Sequence, residues 1–403
     1  MQHGLRRLQL LGGLAHRHRH RDRTKRLLSM KPRTHNNTVA HDGDSRVVRI
    51  SPLPAAGACP FCSTYAYRLQ HVGLPRPGIV DTPDGSRAYR RPFIDGLIAA
   101  GHAVVFLQPD RDLLEAGQTP RGRYRWDAGC PDLDAIIFEW RWPLPGRNTT
   151  DCDASGHTCD LHRQTDLFDR YTRAGTPTLI WDVDRQLPGD DPRRLFPNVA
   201  VGEFALMPTP GALSLPCPVP DALLDAADPK LLASRSRPVS LVYVGNQYDR
   251  DDAFDRYFAP AAASVTHQVA GKWTRIQRWP QVRFTGRCGF AEVETLHRCA
   301  LATVLLLPNR YAYVGHMTSR WFETLLAGCL PLLPAEIRFA DAYAPGELQV
   351  ATGQDVIDKL AWIQSIAGST EHADLIAACL PLLEPFRCST QVATALTVLE
   401  RLS

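Results

Sequence analysis

The feature that most constrains this chain is an alternation that runs twice. Strand-length apolar runs alternate with helical segments that end at a glycine, first upstream and then downstream of a proline-rich break at 208–220. In the first series, residues 86–100 carry Phe93, Leu97 and Ile98 at helical spacing, Gly101 stands where a helix stops, and 103–107 reads as a buried strand. The unit repeats as a helix at 164–174, Gly175 and a strand at 178–181, with a further apolar strand at 134–138. The second series predicts strands at 240–244, 265–269, 282–284, 302–307 and 330–333. Its helices are expected at 251–262, 291–299 and 319–327, the last closed by Gly328, and more helices follow from about 355 to 402. Strands alternating with helices call for parallel sheets with helices on both faces. Two such series make an α/β protein of two Rossmann-like domains whose sheets face a central cleft, and ligands of such sheets bind beyond the strands' carboxyl ends.

At 403 residues the chain exceeds what one ordinary core organises. The expected division is a disordered basic tail (1–45), an N-terminal domain (46–213) beginning with a short strand at 47–50, a linker (214–236), a C-terminal domain (237–385) and a closing helix (386–403). Charge separates the tail from the rest. Residues 1–45 hold ten Lys or Arg and three acids, a net of +7, so with the whole chain at +4 the remainder is at −3. A folded part of that sign does not bind nucleic acid through an overall field, and any such contact needs a local strip. Arg87, Arg90 and Arg91, or Arg121, Arg123 and Arg125, are the candidates for one.

No apolar run approaches the roughly 20 residues of a membrane span, so none is expected, and the placement that follows is cytoplasmic. The eleven cysteines are scattered, several within apolar elements, which reads as small buried hydrophobes rather than a disulfide framework. Cys59 and Cys62 form a C-x-x-C knuckle, and Cys152, His157, Cys159 and His162 follow in a second loop. Cys59, Cys62, Cys152 and Cys159 are a weak set for a structural zinc, because the second half lacks knuckle spacing, and such a zinc would pin two loops rather than catalyse.

The most informative segment is GHMTSRWFETLLAGCLP, from Gly315 to Pro331. Thr318 or Ser319 can cap the helix that follows, and a helix start suits a diphosphate. Arg320 in its first turn can fork onto phosphate oxygens, and Glu323, three residues on, can accept from ribose hydroxyls. Gly315 admits close backbone approach.

These residues carry a resemblance. YVGNQYDRD (Tyr243–Asp251), FTG (Phe284–Gly286) and the Thr-Ser-Arg-x-x-Glu helix with Ala327 and Gly328 occur in the order found in the C-terminal domain of GT-B glycosyltransferases. The region resembles the bacterial spore-maturation glycosyltransferase-like family and, more distantly, the phage DNA β-glucosyltransferases. The resemblance implies a transferase that moves a sugar from a nucleotide-sugar donor to an acceptor hydroxyl, with Gly245, Arg250, Gly315, Ser319, Arg320 and Glu323 on the donor. Many retaining members carry an acid eight residues before the donor glutamate. Gly315 stands there, which favours inversion.

An inverting transferase needs a carboxylate to take the acceptor's proton. LIWDVDRQLP (Leu179–Pro188) ends a strand with Asp182 and Asp184, and its resemblance to the phage segment favours Asp184 as the base over Asp182. Glu139, at another strand end, is a third candidate. No cofactor is required on this reading, although a divalent cation is compatible with it. The acceptor is unspecified among DNA (as a hydroxymethylated base), glycan, protein and small molecule. The alternatives are a nucleotide-sugar epimerase, for which His316 is a candidate, and a non-catalytic nucleotide-sugar-binding protein.

Overall fold

A computed structural model of the chain describes residues 85–107, 124–127, 129–143 and 160–403. The basic tail, the expected strand at 47–50 and the proposed zinc ligands Cys59, Cys62, Cys152 and Cys159 lie outside the described residues.

The first lobe is built on a parallel sheet of β3 (Ile136–Glu139), β4 (Thr178–Asp182), β5 (Val199–Glu203) and β6 (Leu213–Ser214), in that spatial order. A separate parallel pair joins β1 (Val105–Phe106) to β2 (Arg125–Trp126). β3 and β4 are buried along their whole length, as continuous apolar runs in a sheet covered on both faces should be. Helix α1 (Gly85–Ala99) and helix α2 (Asp160–Arg173) flank these strands, and both end at glycines with positive φ, Gly101 and Gly175.

The second lobe has six parallel strands, β7 (Val239–Val244), β8 (His267–Ala270), β9 (Phe284–Gly286), β10 (Ala300–Val304), β11 (Leu330–Pro334) and β12 (Gln349–Val350). Their spatial order is β12-β11-β10-β7-β8-β9. The chain runs outward from β7 to β9, crosses back, and runs outward again from β10 to β12. The order therefore reverses between β7 and β10, and the crevice at the carboxyl ends of those two strands is where a sheet of this kind receives a ligand. Its helices include α3 (Phe290–Arg298), α4 (Asn309–Ala312), α5 (Arg320–Leu326), α6 (Gly353–Ile366), α7 (Thr370–Cys379) and α8 (Cys388–Arg401).

Three expectations need correction. The helix at 251–262 is not continuous: Asp251–Ala253 and Ala259–Ala262 are α-helical, and Phe254–Phe258 between them is a π-helix. Pro260 has no N–H to give the preceding turn, and the wider turn lets Phe254, Tyr257 and Phe258 all point inward. β5 and the short β6 were not anticipated. The segment 214–236 is not plain linker, since it holds two short helices, Asp221–Asp225 and Pro229–Ala233.

The two lobes share one core. Phe93, Trp181 and Leu215 of the first belong to the same buried cluster as Tyr243, Trp321 and Leu332 of the second. Helix α8 returns to the first lobe, where Val392 Cγ2 lies 2.9 Å from the Cβ that Gly96 of α1 lacks. Val219 is paired on both sides with the approach to α8, donating to the Phe386 carbonyl and accepting from the Cys388 N–H, each at 2.8 Å.

Below the second sheet, the buried Arg237 guanidinium donates to five carbonyls: Leu232, His297, Arg298, Ala300 and Ala327. Three of these close the ends of α3 and α5, where helix carbonyls lack partners and carry partial negative charge.

Candidate active site

Gly245 follows directly on β7, so its backbone lies at the reversal point of the sheet. Its N–H donates to the Ala270 carbonyl at 2.8 Å, and its own carbonyl accepts from Trp273 Nε1 at 2.8 Å. The Cβ it lacks would stand 2.8 Å from Arg320 Nε and 2.9 Å from Nη2. The absence of a side chain at 245 is thus what gives the Arg320 guanidinium its place. That guanidinium also lies 5.7 Å from the Tyr243 ring centre and donates to Thr318 Oγ1 at 3.3 Å. Tyr243 is one face of an aromatic cluster with the buried Phe254 and Phe258 and the half-buried Trp273, a floor under the cation.

Arg250 reaches the same region from the loop after β7. Asp249 adopts φ +46, a left-handed conformation that Asp tolerates better than most residues, and turns the chain so that Arg250 points inward. Gln247 stitches this loop to its neighbour, since its side-chain oxygen accepts from the N–H groups of Thr274 and Arg275. Arg250 is buried and donates to the Asn246 carbonyl, while its Nε has no hydrogen-bond partner among the described residues. Burial lowers its pKa from the usual arginine value, and the nearby Arg320 charge acts in the same direction. Among the described residues, neither Arg250 nor Arg320 has a carboxylate within ion-pair distance. Two guanidinium groups held together without a counter-ion form a place for an anion with several oxygens.

Asp184 sits across the lobe contact. Its Oδ1 accepts from the Tyr311 hydroxyl of α4, and its backbone carbonyl accepts from Arg310 Nη1 at 2.8 Å. No described residue donates to Oδ2, and the side chain is half-buried. The turn that presents it is fixed from both sides. Asp182, fully buried at the end of β4, accepts from the N–H of Gln186 at 2.9 Å and of Leu187 at 2.7 Å. Arg185 adopts φ +50, a strained value for a residue with a side chain, and is held there by Glu203 Oε2 at 2.7 Å and Thr209 Oγ1 at 3.1 Å. Burial of Glu203 works against its charge, but hydrogen bonds from Arg185, the Thr209 backbone and Arg194 leave its pKa below the ordinary carboxylate value.

The geometry separates the carboxylates that sequence grouped together. Asp182 uses both oxygens to cap the turn, and burial pushes its pKa up to about 6 in spite of those two bonds. Glu139 is buried in ion pairs with Arg90 and with Arg141. Arg90 is therefore occupied inside the fold and is no part of a nucleic-acid strip, whereas Arg91 and Arg125 are exposed. The side chain of Arg87, and Arg121 and Arg123, lie outside what is described.

Around Arg320 several local expectations change. Ser319 has helical φ and ψ and makes no capping bond through its side chain. Gly315 has φ +59, and its missing Cβ would meet Phe339 and the Arg338 carbonyl at 2.8 and 2.9 Å, so the tightness there comes from the protein itself. Glu323 lies three residues after Arg320 on the same short helix. It lines a groove of about 470 Å³ with His297, Phe322 and Leu326. His316 is buried and stacks on Tyr311, ring centres 3.7 Å apart and planes within 5°. Burial pushes its pKa down to about 3, with Arg310 and Arg185 adding to the shift, so at neutral pH it is a packed, uncharged ring. That is not the exposed acid–base pair an epimerase needs.

Sequence reasoning missed Tyr311 and Arg310, the partners of Asp184. The signal was faint: an Asn-Arg-Tyr run just after a strand, three residues of ordinary surface type.

Two parallel sheets, the reversal in the second, and a closing helix that returns to the first lobe define the fold of the GT-B glycosyltransferases. Solved structures of that kind superpose on this chain. An alpha-glucosyltransferase in complex with UDP and a 13-mer DNA containing a central A:G mismatch matches with a TM-score of 0.52 and 9% identity, over 80% of this chain and 98% of that one. BGT of T4 phage in complex with UDP and Mn2+ matches with a TM-score of 0.51 and 11% identity, over 88% and 99%. AviGT4, a glycosyltransferase involved in avilamycin A biosynthesis, matches with a TM-score of 0.50 and 14% identity, over 88% and 97%. No protein-family model and no curated protein sequence matches the chain. Among the described residues, no group of three or more His, Cys, Asp or Glu is placed to hold a metal ion, and no helix is long and apolar enough to cross a membrane.

Proposed function

We propose that this chain is a nucleotide-sugar-dependent glycosyltransferase that transfers a sugar to an acceptor hydroxyl with inversion. The observation that carries the reading is the pair Arg250 and Arg320, two guanidiniums without a carboxylate partner among the described residues, at the reversal point of a six-stranded parallel sheet. That pair suits the diphosphate of a donor, with Gly245 leaving room and Ser319 and Gly315 shaping the adjoining loop. Glu323, half-buried beside the groove, is assigned to the donor's ribose. The domain at 46–213 takes the acceptor side and the domain at 237–385 the donor side.

Asp184 Oδ2 accepts the proton of the acceptor hydroxyl as that oxygen bonds to the anomeric carbon. The bond from that carbon to the diphosphate oxygen breaks, and the departing charge is met by Arg250 and Arg320. The GT-B likeness supports the donor class, and the finer kinship to the spore-maturation glycosyltransferase-like family rests on the sequence resemblance alone. A cytoplasmic enzyme accords with the seven described cysteines, all unpaired.

The test is calorimetric titration with UDP, UDP-glucose and other nucleotide sugars, each with and without Mg2+ or Mn2+. Binding to the intact chain that weakens at least tenfold in Arg320→Ala and in Arg250→Ala is the expected result, and unchanged affinity in both variants removes the donor site. Acceptors are then screened across hydroxymethylated DNA, glycans, proteins and small molecules, with sugar transfer as the readout.

A further inference from the structure

Tyr311 is held at the lobe contact by a ring stack, a cation and a hydrogen bond. One face of its ring stacks on His316, with centres 3.7 Å apart and planes within 5°, and the Arg310 guanidinium lies 4.3 Å from its centre. Its hydroxyl donates to Asp184 Oδ1. The backbone beside it is pinned as well. The Tyr311 carbonyl accepts from the His316 N–H at 3.0 Å, and the Gly315 and Val314 carbonyls accept from Leu206 and Met207 of the first lobe at 3.1 and 3.0 Å. A phenol fixed this firmly, bonded to one oxygen of a carboxylate whose other oxygen has no donor among the described residues, sets the direction in which that second oxygen points. Tyr311 and Arg320 belong to one segment, with eight residues between them, which joins the lobe contact to the donor cation.

We propose that Tyr311 is the positioning residue for Asp184, so that the base on one lobe is aimed only when the donor lobe is seated against it. The proposal rests on the assignment of Asp184 as base. Tyr311→Phe keeps the stack on His316 and the buried ring and removes the one hydroxyl. In the full chain, with UDP-glucose as donor and water as acceptor, this variant is expected to lower kcat about tenfold with KM for UDP-glucose unchanged. It should also move the acid limb of the kcat–pH profile to higher pH, because a carboxylate that loses a donor to its charged form is easier to protonate. A role in folding alone would move neither KM-independent turnover nor the acid limb, and matched thermal melts of the variant and the parent check that the fold is kept. Wild-type kcat and an unmoved limb in Tyr311→Phe overturn the proposal. Full activity in Asp184→Asn overturns instead the base assignment beneath it, and a parent chain that turns over no nucleotide sugar, with water or with any acceptor of the screen, overturns the enzyme reading on which both rest.

Discussion

Gly245 and Arg320 are in contact through a missing atom: a Cβ on the glycine would stand 2.8 Å from Nε of the arginine. The atom in the way is the far end of a flexible side chain, so Gly245→Ala should displace the guanidinium and leave the fold intact. The expected outcome is donor affinity about tenfold weaker, roughly 1.4 kcal/mol, with a change in unfolding free energy within about 1 kcal/mol. Gly271 is the control. Its φ is +141 and its Cβ would fall 2.1 Å from the Gly245 carbonyl oxygen, so Gly271→Ala collides with backbone. That variant should lose about 3 kcal/mol or more of stability. Calorimetry with UDP and urea melts on the two variants check both statements.

Asp184→Asn should reduce sugar transfer by about 10²–10⁴, the usual contribution of a general base, while donor affinity stays within about twofold. Single-turnover kinetics beside UDP titration separates the two effects. A variant that binds and transfers like the parent would leave the chain without a base at this position, and one that binds donor in a parent with no transfer at all would describe a binding protein.

Asp182 carries a pH signature of its own. Burial raises its pKa from 3.8 to about 6. A raised carboxylate stabilises the fold fully below pH 3.8, and that contribution is lost as pH climbs through 6. Between pH 4.5 and 7 the loss amounts to about 2 kcal/mol. Asp182→Asn removes the titration at the cost of one backbone acceptor. Relative to the parent, the variant should therefore gain about 2 kcal/mol from pH 4.5 to 7, as read from urea midpoints at several pH values.

His297 gives the opposite dependence. It is fully buried, neither ring nitrogen has a partner among the described residues, and burial, with Arg320 adding, pushes its pKa down to about 3. A depressed histidine contributes stability above pH 6.5 that is lost as pH falls toward 3, about 2 kcal/mol of it by pH 5. His297→Leu fills a similar volume without the stranded nitrogens. It should raise stability at pH 7 by about 1 kcal/mol and reduce the drop between pH 7.5 and 5 by about 2 kcal/mol. His316, shifted in the same direction, keeps part of the acid sensitivity in that variant.

Most strands and helices of the second lobe were legible because its apolar runs have no competing pattern. Val239–Val244 and Ala300–Val304 are apolar or small throughout, and Gly328 marks the end of α5 plainly. β5 was harder, since Val-Ala-Val-Gly-Glu is short and ends in a charge that is buried only because Arg185 and Arg194 come to meet it. The π-helix follows from where Pro260 falls against three aromatic residues that all seek the core, a tertiary demand that helical spacing does not carry. At the site, Arg320 could be read from its position at a helix start. Asp184 could be singled out but not told from Asp182, because what divides them is the turn: the backbone N–H groups of Gln186 and Leu187 claim one and leave the other facing Tyr311. Contacts separated by 127 positions leave no local spacing to recognise.

Helix α8 follows the whole second lobe in the chain and is one of the first lobe's walls, with Val392 against Gly96 and Cys388 tied to Val219. During synthesis, then, α1 waits with its Gly96 face unmatched until α8 has cleared the ribosome, after both sheets have been made. A nonsense codon near position 387 would spare every described strand of both sheets and still leave the first lobe without this wall, so a truncation placed after the second lobe would show itself in the first.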